Sequence, residues 1–501
     1  MKNKLLILYL FCASQSIAQT QTPKPHVLFI IADDLRNQLG CYGYLNIKSP
    51  YLDSFAKEAV LFRNAFAQQA ICSPSRTSFL TGRRPNQTLI YNNRDHFRGT
   101  TQSLVTLPQY FKNKGYFTRA FGKVFHNPFL DDLPSWSTSS VYFDGPDYGP
   151  ENQVILDSMV NVLKAKGKFQ IRHLEHHPQT GQPLREVRQG ESVSWISWEE
   201  PEVEDDYFVD GKLADLAVEA IKNYDVTENL PFFFAVGLHK PHLPYVAPKK
   251  YFDPYVLEDI QLSTFKAPEN ASEYAFHNFD ELREYIDIPD EGEIDTLIQK
   301  QLIRAYYACI SYTDAQIGKI IAALKEKKIY DQTIIVIIGD HGYHLGDLNL
   351  WTKQTNFDWA TRAPMLIKAP NQITMGYQTD ALVEFVDIYP TLCDLANLPI
   401  PDSLAGTSIK KAFYKQIDKH KPFAYSQYPR KKGKIMGYSV RSRYHRLTQW
   451  INTETNQIDS EELYDYRKRE IEIRNVIGEK RYTRIYKKLA RALIKYHQIK
   501  A

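Results

Sequence analysis

The chain has 501 residues, with 62 lysines and arginines against 58 aspartates and glutamates and a net charge of +4. That near balance excludes nucleic-acid binding driven by net charge, though not a local cationic pocket. With 43% hydrophobic and 13% aromatic residues it reads as an ordinary globular chain with ample core, sized for one large domain and a smaller one.

The first element is an export signal. Lys2 and Lys4 make a positive start, Leu5 to Ala13 an apolar run too short to span a bilayer, and Ser16-Ile17-Ala18 a small-x-small cleavage pattern. Residues 1–18 are therefore expected to be removed, leaving a periplasmic or secreted protein. Phe11 is bulky where a lipoprotein anchor at Cys12 would need a small residue. No later stretch is long and apolar enough for a transmembrane helix, so no stable membrane insertion is expected. Beyond Cys12, the cysteines Cys41, Cys72, Cys309 and Cys393 are far apart and lack a CxxC, which is not a disulfide scaffold.

His26 to Ala32 is a continuous apolar run ending in Asp33-Asp34. Pro231 to Val236 ends in Gly237-Leu238-His239, and Thr333 to Ile338 ends in Gly339-Asp340-His341-Gly342. Such runs suit strands buried on both faces. Helical patterns lie between them: one opening at Ser49-Pro50 with Leu52, Phe55, Ala56 and Ala59 on a face, one over Asp210 to Asn223, and a long one over Leu302 to Lys328. The alternation predicts an α/β fold, a large, mostly parallel central sheet sandwiched by helices. Residues 144–206, rich in Gly, Pro and acids, read as an insertion or extended loop whose His173, His176 and His177 face solvent. After about residue 420, Phe423 to Gln427, Met436 to Arg441 and Tyr444 to Ile451 read as a meander, and Tyr482 to Lys495 as a closing helix with a solvated basic face. This predicts a smaller C-terminal α+β subdomain over 416–501, behind a catalytic domain over 19–415.

Ligand sites in open α/β sheets lie at the carboxyl ends of strands. If the first and third runs are neighbours, Asp33, Asp34, Asp340 and His341 converge into a site for a hard divalent cation such as calcium or magnesium. Cys72, in 70-AICSPSRTSFLTGRRP-85, sits before Arg76 where a helical pattern begins, a place that favours anions. Lys123 and His126 (in AFGKVFH), His239 (in GLHKPHLPY) and Lys353 (in WTKQTNFD) complete the set. A nucleophile, a metal, several cations and two proton-transfer groups are what attack on a tetrahedral anionic ester needs.

Cys72-Ser73-Pro74-Ser75-Arg76 followed by Leu80-Thr81-Gly82-Arg83 resembles the sulfatase signature, in which the cysteine is oxidised to Cα-formylglycine. The likeness extends to the DD, FGKxxH, HxPH and GDHG segments, the later lysine, and 462-ELYDYRKREIEIRN-475. His341, where many arylsulfatases carry asparagine, makes the chain similar to the iduronate-2-sulfatase branch; 346-GDLNLW-351 departs from that branch.

The resemblance implies a sulfuric ester hydrolase matured by a formylglycine-generating enzyme. Its implied substrate is a sulfated uronate-containing polysaccharide or oligosaccharide, of iduronate 2-sulfate or ulvan type. It also implies Ca²⁺ held by Asp33, Asp34, Asp340, His341 and the modified Cys72, with Arg76 on the formylglycine hydrate. Lys123, Lys353 and His239 would contact the sulfate or leaving oxygen, and His126 would be the base. Tyr91, Arg94, His96 and Arg98, with Trp351, Trp359 and Arg362, are candidates for a uronate pocket. Formylglycine-dependent phosphonate or phosphodiester hydrolysis is the alternative chemistry. A silent polysaccharide-binding protein is the alternative if Cys72 stays unmodified.

Overall fold

The computed structural model describes residues 24–227, 230–467 and 471–497. The expected signal over residues 1–18 lies outside them. The central sheet has seven strands: β1 (His26–Ala32), β2 (Val60–Phe66), β3 (Phe117–Gly122), β4 (Phe232–Leu238), β5 (Thr333–Gly339), β6 (Met365–Lys368) and β7 (Gln378–Glu384). They lie in the order β7-β2-β6-β5-β1-β4-β3, and β6 runs antiparallel to its neighbours in an otherwise parallel sheet.

Alternate side chains of a strand point to opposite faces. In β1, Leu28, Ile30 and Ala32 join one core, while Val27, Phe29 and Ile31 join the other. Each large apolar side chain buried this way contributes about 1.5–3 kcal/mol. Because both faces are covered, the strand shows no polar alternation.

The principal helices are α1 (Pro50–Ala56), α2 (Cys72–Thr81), α3 (Val209–Asn223), α4 (Thr296–Glu326) and α5 (Thr483–His497). Leu213 and Ile221 of α3 and Leu302 and Ile310 of α4 cover one face; Phe79 and Leu80 of α2 cover the other. The helix expected from Ser49-Pro50 ends at Ala56, short of Ala59, because the chain enters β2 at Val60. Ser49 makes no cap bond; Asp314 of α4 instead accepts the Tyr51 and Leu52 N–H groups at 3.0 and 2.7 Å.

The 144–206 region is more ordered than the expected loop. It holds a helix over Pro150–Ala165 and an antiparallel hairpin of Ile171–His176 with Pro183–Gln189. Its inward residue is Glu186, a buried charge among half-exposed neighbours, so hydrophobic alternation cannot reveal it.

The C-terminal subdomain is an antiparallel meander of β8 (Ala424–Arg430), β9 (Ile435–Arg441), β10 (His445–Asn452) and β11 (Ile458–Asp465). Leu489, Ala492 and Leu493 of α5 pack on Val440, Leu447 and Leu463 of this sheet. The fourth strand was not expected, since the first half of IDSEELYD is acidic and largely outside the core. Cys41, Cys72, Cys309 and Cys393 are all free. Among the described residues, no helix is long and apolar enough to cross a membrane.

Candidate active site

Strand register brings the charged residues to one level. Ala32 pairs with Gly339 on one side and Leu238 on the other, so Asp33, Asp340 and His239 leave the sheet together. Gly122 pairs with Gly237, and a Cβ on Gly237 would lie 2.0 Å from the Lys123 carbonyl oxygen. The bare backbone there lets the chain after β3 fold over the strand end, where Arg76 Nη1 donates to that carbonyl.

Cys72 opens α2 and is 1% exposed; the next N–H, of Ser73, donates to Asn93 Oδ1 at 2.9 Å. Pro74, in the first turn, lacks only an N–H that the helix would leave unpaired. Arg76 is fully buried and divides its guanidinium between Asp33 Oδ1 (2.8 Å) and Asp340 Oδ2 (2.9 Å). Lys123 Nζ also bonds Asp33, and Lys353 Nζ bridges Asp34 Oδ2 (2.9 Å) and Glu281 Oε1 (2.7 Å). Burial pushes the Asp33 carboxyl up, but Lys123 and Arg76 outweigh it and hold it well below the usual range. Burial likewise opposes the Lys353 ammonium, and Asp34 and Glu281 reverse that, raising it well above its ordinary value. Burial and the Asp33 charge push the Cys72 thiol far up, so an unmodified thiol there is a poor nucleophile.

Asp34 adopts φ 62°, a left-handed conformation that aspartate tolerates better than most residues, with its N–H on Asp340 Oδ1 at 3.0 Å. His341 Nδ1 lies 2.9 Å from the Gly342 carbonyl oxygen, which accepts only a proton on that nitrogen. Nε2 lies 3.5 Å from Asp34 Oδ1, and both atoms are buried without a hydrogen-bond partner. A cation between them would engage both. Asp33, Asp34 and Asp340 form one set of donors within 4.8 Å of one another; Asp34, Cys72 and His341 form another. Carboxylate oxygens with one imidazole fit a hard divalent cation.

The cluster opens into a cavity of about 810 Å³ lined by Lys123, His126, His239, His242 and Glu281. His126 Nδ1 is buried without a partner, and burial with the Lys123 charge holds the imidazole neutral, well below its usual pKa. The two histidines of HKPH take different places. His239 has a 41% exposed side chain, with Nδ1 3.2 Å from Asp210 Oδ1, and joins none of the metal-capable groups. His242 Nε2 lies 3.0 Å from Glu281 Oε1 and 3.8 Å from Asp34 Oδ2, inside the cluster.

The expected uronate-pocket residues stand elsewhere. Tyr91, Arg94, His96, Arg98, Trp351, Trp359 and Arg362 do not line this cavity. Trp351 is buried in the core, and Arg98 pairs with Asp132 at 2.9 Å. His96 caps a short helix through Arg98 N–H at 3.0 Å, and the Tyr91 hydroxyl lies 3.4 Å from Asn86 Oδ1. Arg94 is exposed. Trp359 lies under the Arg36 guanidinium at 3.8 Å, with Arg362 6.0 Å from its ring.

Sequence reasoning missed His242, Glu281, Arg172 and Arg188. His242 had a signal, the HxPH repeat of the imidazole, but only the turn decides which ring faces the strand ends. Glu281 comes from a four-residue helix, Asp280–Arg283, with no local pattern of its own.

An α/β sheet with Cys72 buried near its strand ends, a carboxylate-imidazole group that could hold a cation, and lysines paired to those carboxylates suits hydrolysis of an anionic ester. Residues 25–398 match the sulfatase family profile, and residues 346–499 match that of the N-sulphoglucosamine sulphohydrolase C-terminal region. Iduronate 2-sulfatase of Mus musculus is 33% identical, with 90% of each chain covered. A sulfatase of Formosa agariphila is 32% identical over 76% of this chain and 71% of its own. The phosphonate monoester hydrolase of Agrobacterium radiobacter shares the fold, with a TM-score of 0.71 at 22% identity over 94% of this chain and 95% of that one. The chain belongs to the sulfatase family and is a sulfuric ester hydrolase.

Proposed function

We propose that this protein is an exported sulfatase that hydrolyses sulfate esters on uronate-containing polysaccharide or oligosaccharide, of the iduronate 2-sulfate or ulvan type. The likeness to iduronate 2-sulfatase supports the substrate class. The observation that carries the reading is the convergence of Cys72, Arg76, Lys123, Lys353 and the Asp33–Asp34–Asp340–His341 set near the carboxyl ends of the central strands. On this reading residues 1–18 direct export, 19–415 form the catalytic domain and 416–501 the C-terminal subdomain.

Asp33, Asp34, Asp340 and His341, with an oxygen at position 72, would hold Ca²⁺, whose charge would offset that growing on the sulfate oxygens. Cys72, oxidised by a formylglycine-generating enzyme, would supply a hydrated aldehyde with one hydroxyl to attack sulfur and a second to release sulfate. Arg76 holds that end of α2 against Asp33 and Asp340. Lys123, on the cavity wall, and Lys353, behind it on Asp34 and Glu281, would supply ammonium charge to the sulfate oxygens. Neutral His126 keeps an open lone pair that takes a proton from the hydroxyl at position 72. The leaving-oxygen role expected of His239 fits His242 better by position, since His242 lies 3.0 Å from Glu281 Oε1 inside the acid cluster while His239 is 41% exposed and outside it.

Mass spectrometry of the peptide spanning Cys72 tests the modification: formylglycine is lighter than cysteine, and an unmodified thiol in active protein would sink the account. The fold shared with phosphonate monoester hydrolases supports a second reading. Hydrolysis rates for a sulfate monoester and a phosphate diester at equal concentration separate the two, and the sulfate is expected to win.

A further inference from the structure

The cavity has a second cationic pole. Arg172 and Arg188 occupy directly paired positions on the two strands of the 171–189 hairpin, and both line the cavity that holds Lys123, His126 and His242. Like charges opposite one another on a hairpin are unfavourable unless something offsets them. Here Glu186 does. Its side chain is fully buried; Arg172 Nε bonds its Oε1, Arg188 Nε and Nη2 reach Oε1 and Oε2 at 3.1 and 2.9 Å, and Asn127 Nδ2 donates to Oε2 at 2.9 Å.

One carboxylate against two guanidinium groups leaves a surplus positive charge. Arg172 Nη1 and Nη2 and Arg188 Nη1 have no protein hydrogen-bond partner among the described residues, and the two side chains remain 39% and 28% exposed on the cavity side. Asp144, Asp147, Asp210 and Glu281 also line the cavity. Glu281 is engaged by Lys353 and His242, Asp210 by the N–H groups of His239 and Lys240, and none pairs with either arginine. The hairpin is held in place: Glu186 N–H donates to the Arg94 carbonyl and His96 N–H to the Leu184 carbonyl, each at 2.7 Å. Arg94 and His96 thus contribute through their backbone, by fixing the strand that carries the arginines.

We propose that Arg172 and Arg188, aligned by Glu186, form a subsite for a second anionic group on the glycan whose sulfate reacts at Cys72. The ligand is a planar or tetrahedral oxyanion, a carboxylate or another sulfate, which forked guanidinium donors suit better than ammonium does. The subsite rests on the sulfatase reading for the reacting end and adds the requirement of a second charge. Glu186 is a positioning residue.

The experiment compares kcat/KM for three matched sulfated disaccharides: a uronate, its carboxyl-reduced alcohol, and the alcohol bearing a second sulfate in place of the carboxylate. The wild type is expected to prefer the doubly anionic sugars ~10- to 100-fold, the range of one charge-assisted contact. Arg172→Gln with Arg188→Gln is expected to bring that ratio to about twofold or less. Which doubly anionic sugar is preferred tells carboxylate from sulfate. A wild-type ratio near one, or variants that keep the wild-type ratio, overturns the proposal. If the double variant does not fold, Arg172→Gln alone leaves Arg188 on Glu186 and is read the same way. For Glu186→Gln the loss is expected in KM, with partial recovery in Glu186→Asp; a loss confined to kcat overturns its role. If the wild type cleaves no sulfate ester, the sulfatase reading fails by itself. Calorimetric titration of the same three sugars then still decides the subsite: anion preference lost in the variants supports it, and equal affinities overturn it.

Discussion

Two buried charge networks in this molecule look alike and do different things. In the first, Arg84 grips Glu384 through Nη1 and Nη2 at 2.5 and 2.8 Å, and Lys421 joins Glu384 to Asp387 at 2.8 and 2.7 Å. Backbone N–H groups of Tyr425 and Thr407 add bonds to Glu384 Oε1 and Asp387 Oδ1, the Glu384 N–H donates to Asp387 Oδ2 at 2.8 Å, and no buried polar side-chain atom of the four is left without a partner. The second, at the strand ends, is just as buried, yet Asp34 Oδ1, His341 Nε2, His126 Nδ1 and Glu281 Oε2 are all unpartnered. A buried unsatisfied group carries a penalty of roughly 1–3 kcal/mol. A network that closes on itself holds the fold; one that keeps open lone pairs is arranged for a ligand. Burial and ion pairing alone would not have separated them.

The sharpest test of that difference is Cys72→Ala. Activity is expected to fall by about four orders of magnitude or more with the melting temperature little changed, because the side chain sits among charges without bonding them. Next, Lys353→Met should reduce kcat/KM about 100- to 1,000-fold, the scale of losing one preorganised cation; a loss under tenfold would remove Lys353 from the sulfate site. Chelation should lower both activity and melting temperature, with Ca²⁺ restoring both, since an ion bound only by the folded state stabilises it. An active, chelator-resistant protein would break the contrast between the networks. Arg84→Met, in the closed network, should show the opposite pattern: about 3–5 kcal/mol of lost stability by denaturant titration, with kcat of the folded fraction nearly intact.

The smallest effect is in acid. Burial pushes the Glu384 carboxyl up, but Arg84 and Lys421 overcome it and hold the pKa at about 2, against 4.5 ordinarily. A depressed folded-state pKa contributes stability above the unfolded value that is lost as pH falls through the folded one. That contribution, about 3 kcal/mol for a shift of this size, should fade between about pH 4.5 and 2. In Glu384→Gln the corresponding slope of stability against pH should disappear.

The buried strands were legible because a strand covered on both faces must be a short apolar run, and the polar residues after each run marked the sheet edge. The run of β1, the GDHG after β5 and the signature around Cys72 were local patterns of this kind, so fold class, family and most of the cluster could be read from them. The substrate-facing side could not. Arg94, His96 and Trp351 had suitable chemistry, but packing turned them to the surface, a cap and the core. Beside Lys123, His126 and His239, the cavity is lined by His242, Glu281, Arg172 and Arg188, which come from a turn, a four-residue helix and a hairpin with a buried charge, none of which leaves a periodic trace.

What the sequence by itself determined was the set of elements whose signal is hydrophobic period or a contiguous motif. Only the tertiary structure decided which of two histidines in HKPH faces the acids, which of two buried charge networks keeps open lone pairs, and which arginines share a cavity with Lys123. Those outcomes depend on strand register and on contacts between residues far apart in the chain, and a local pattern carries no record of either.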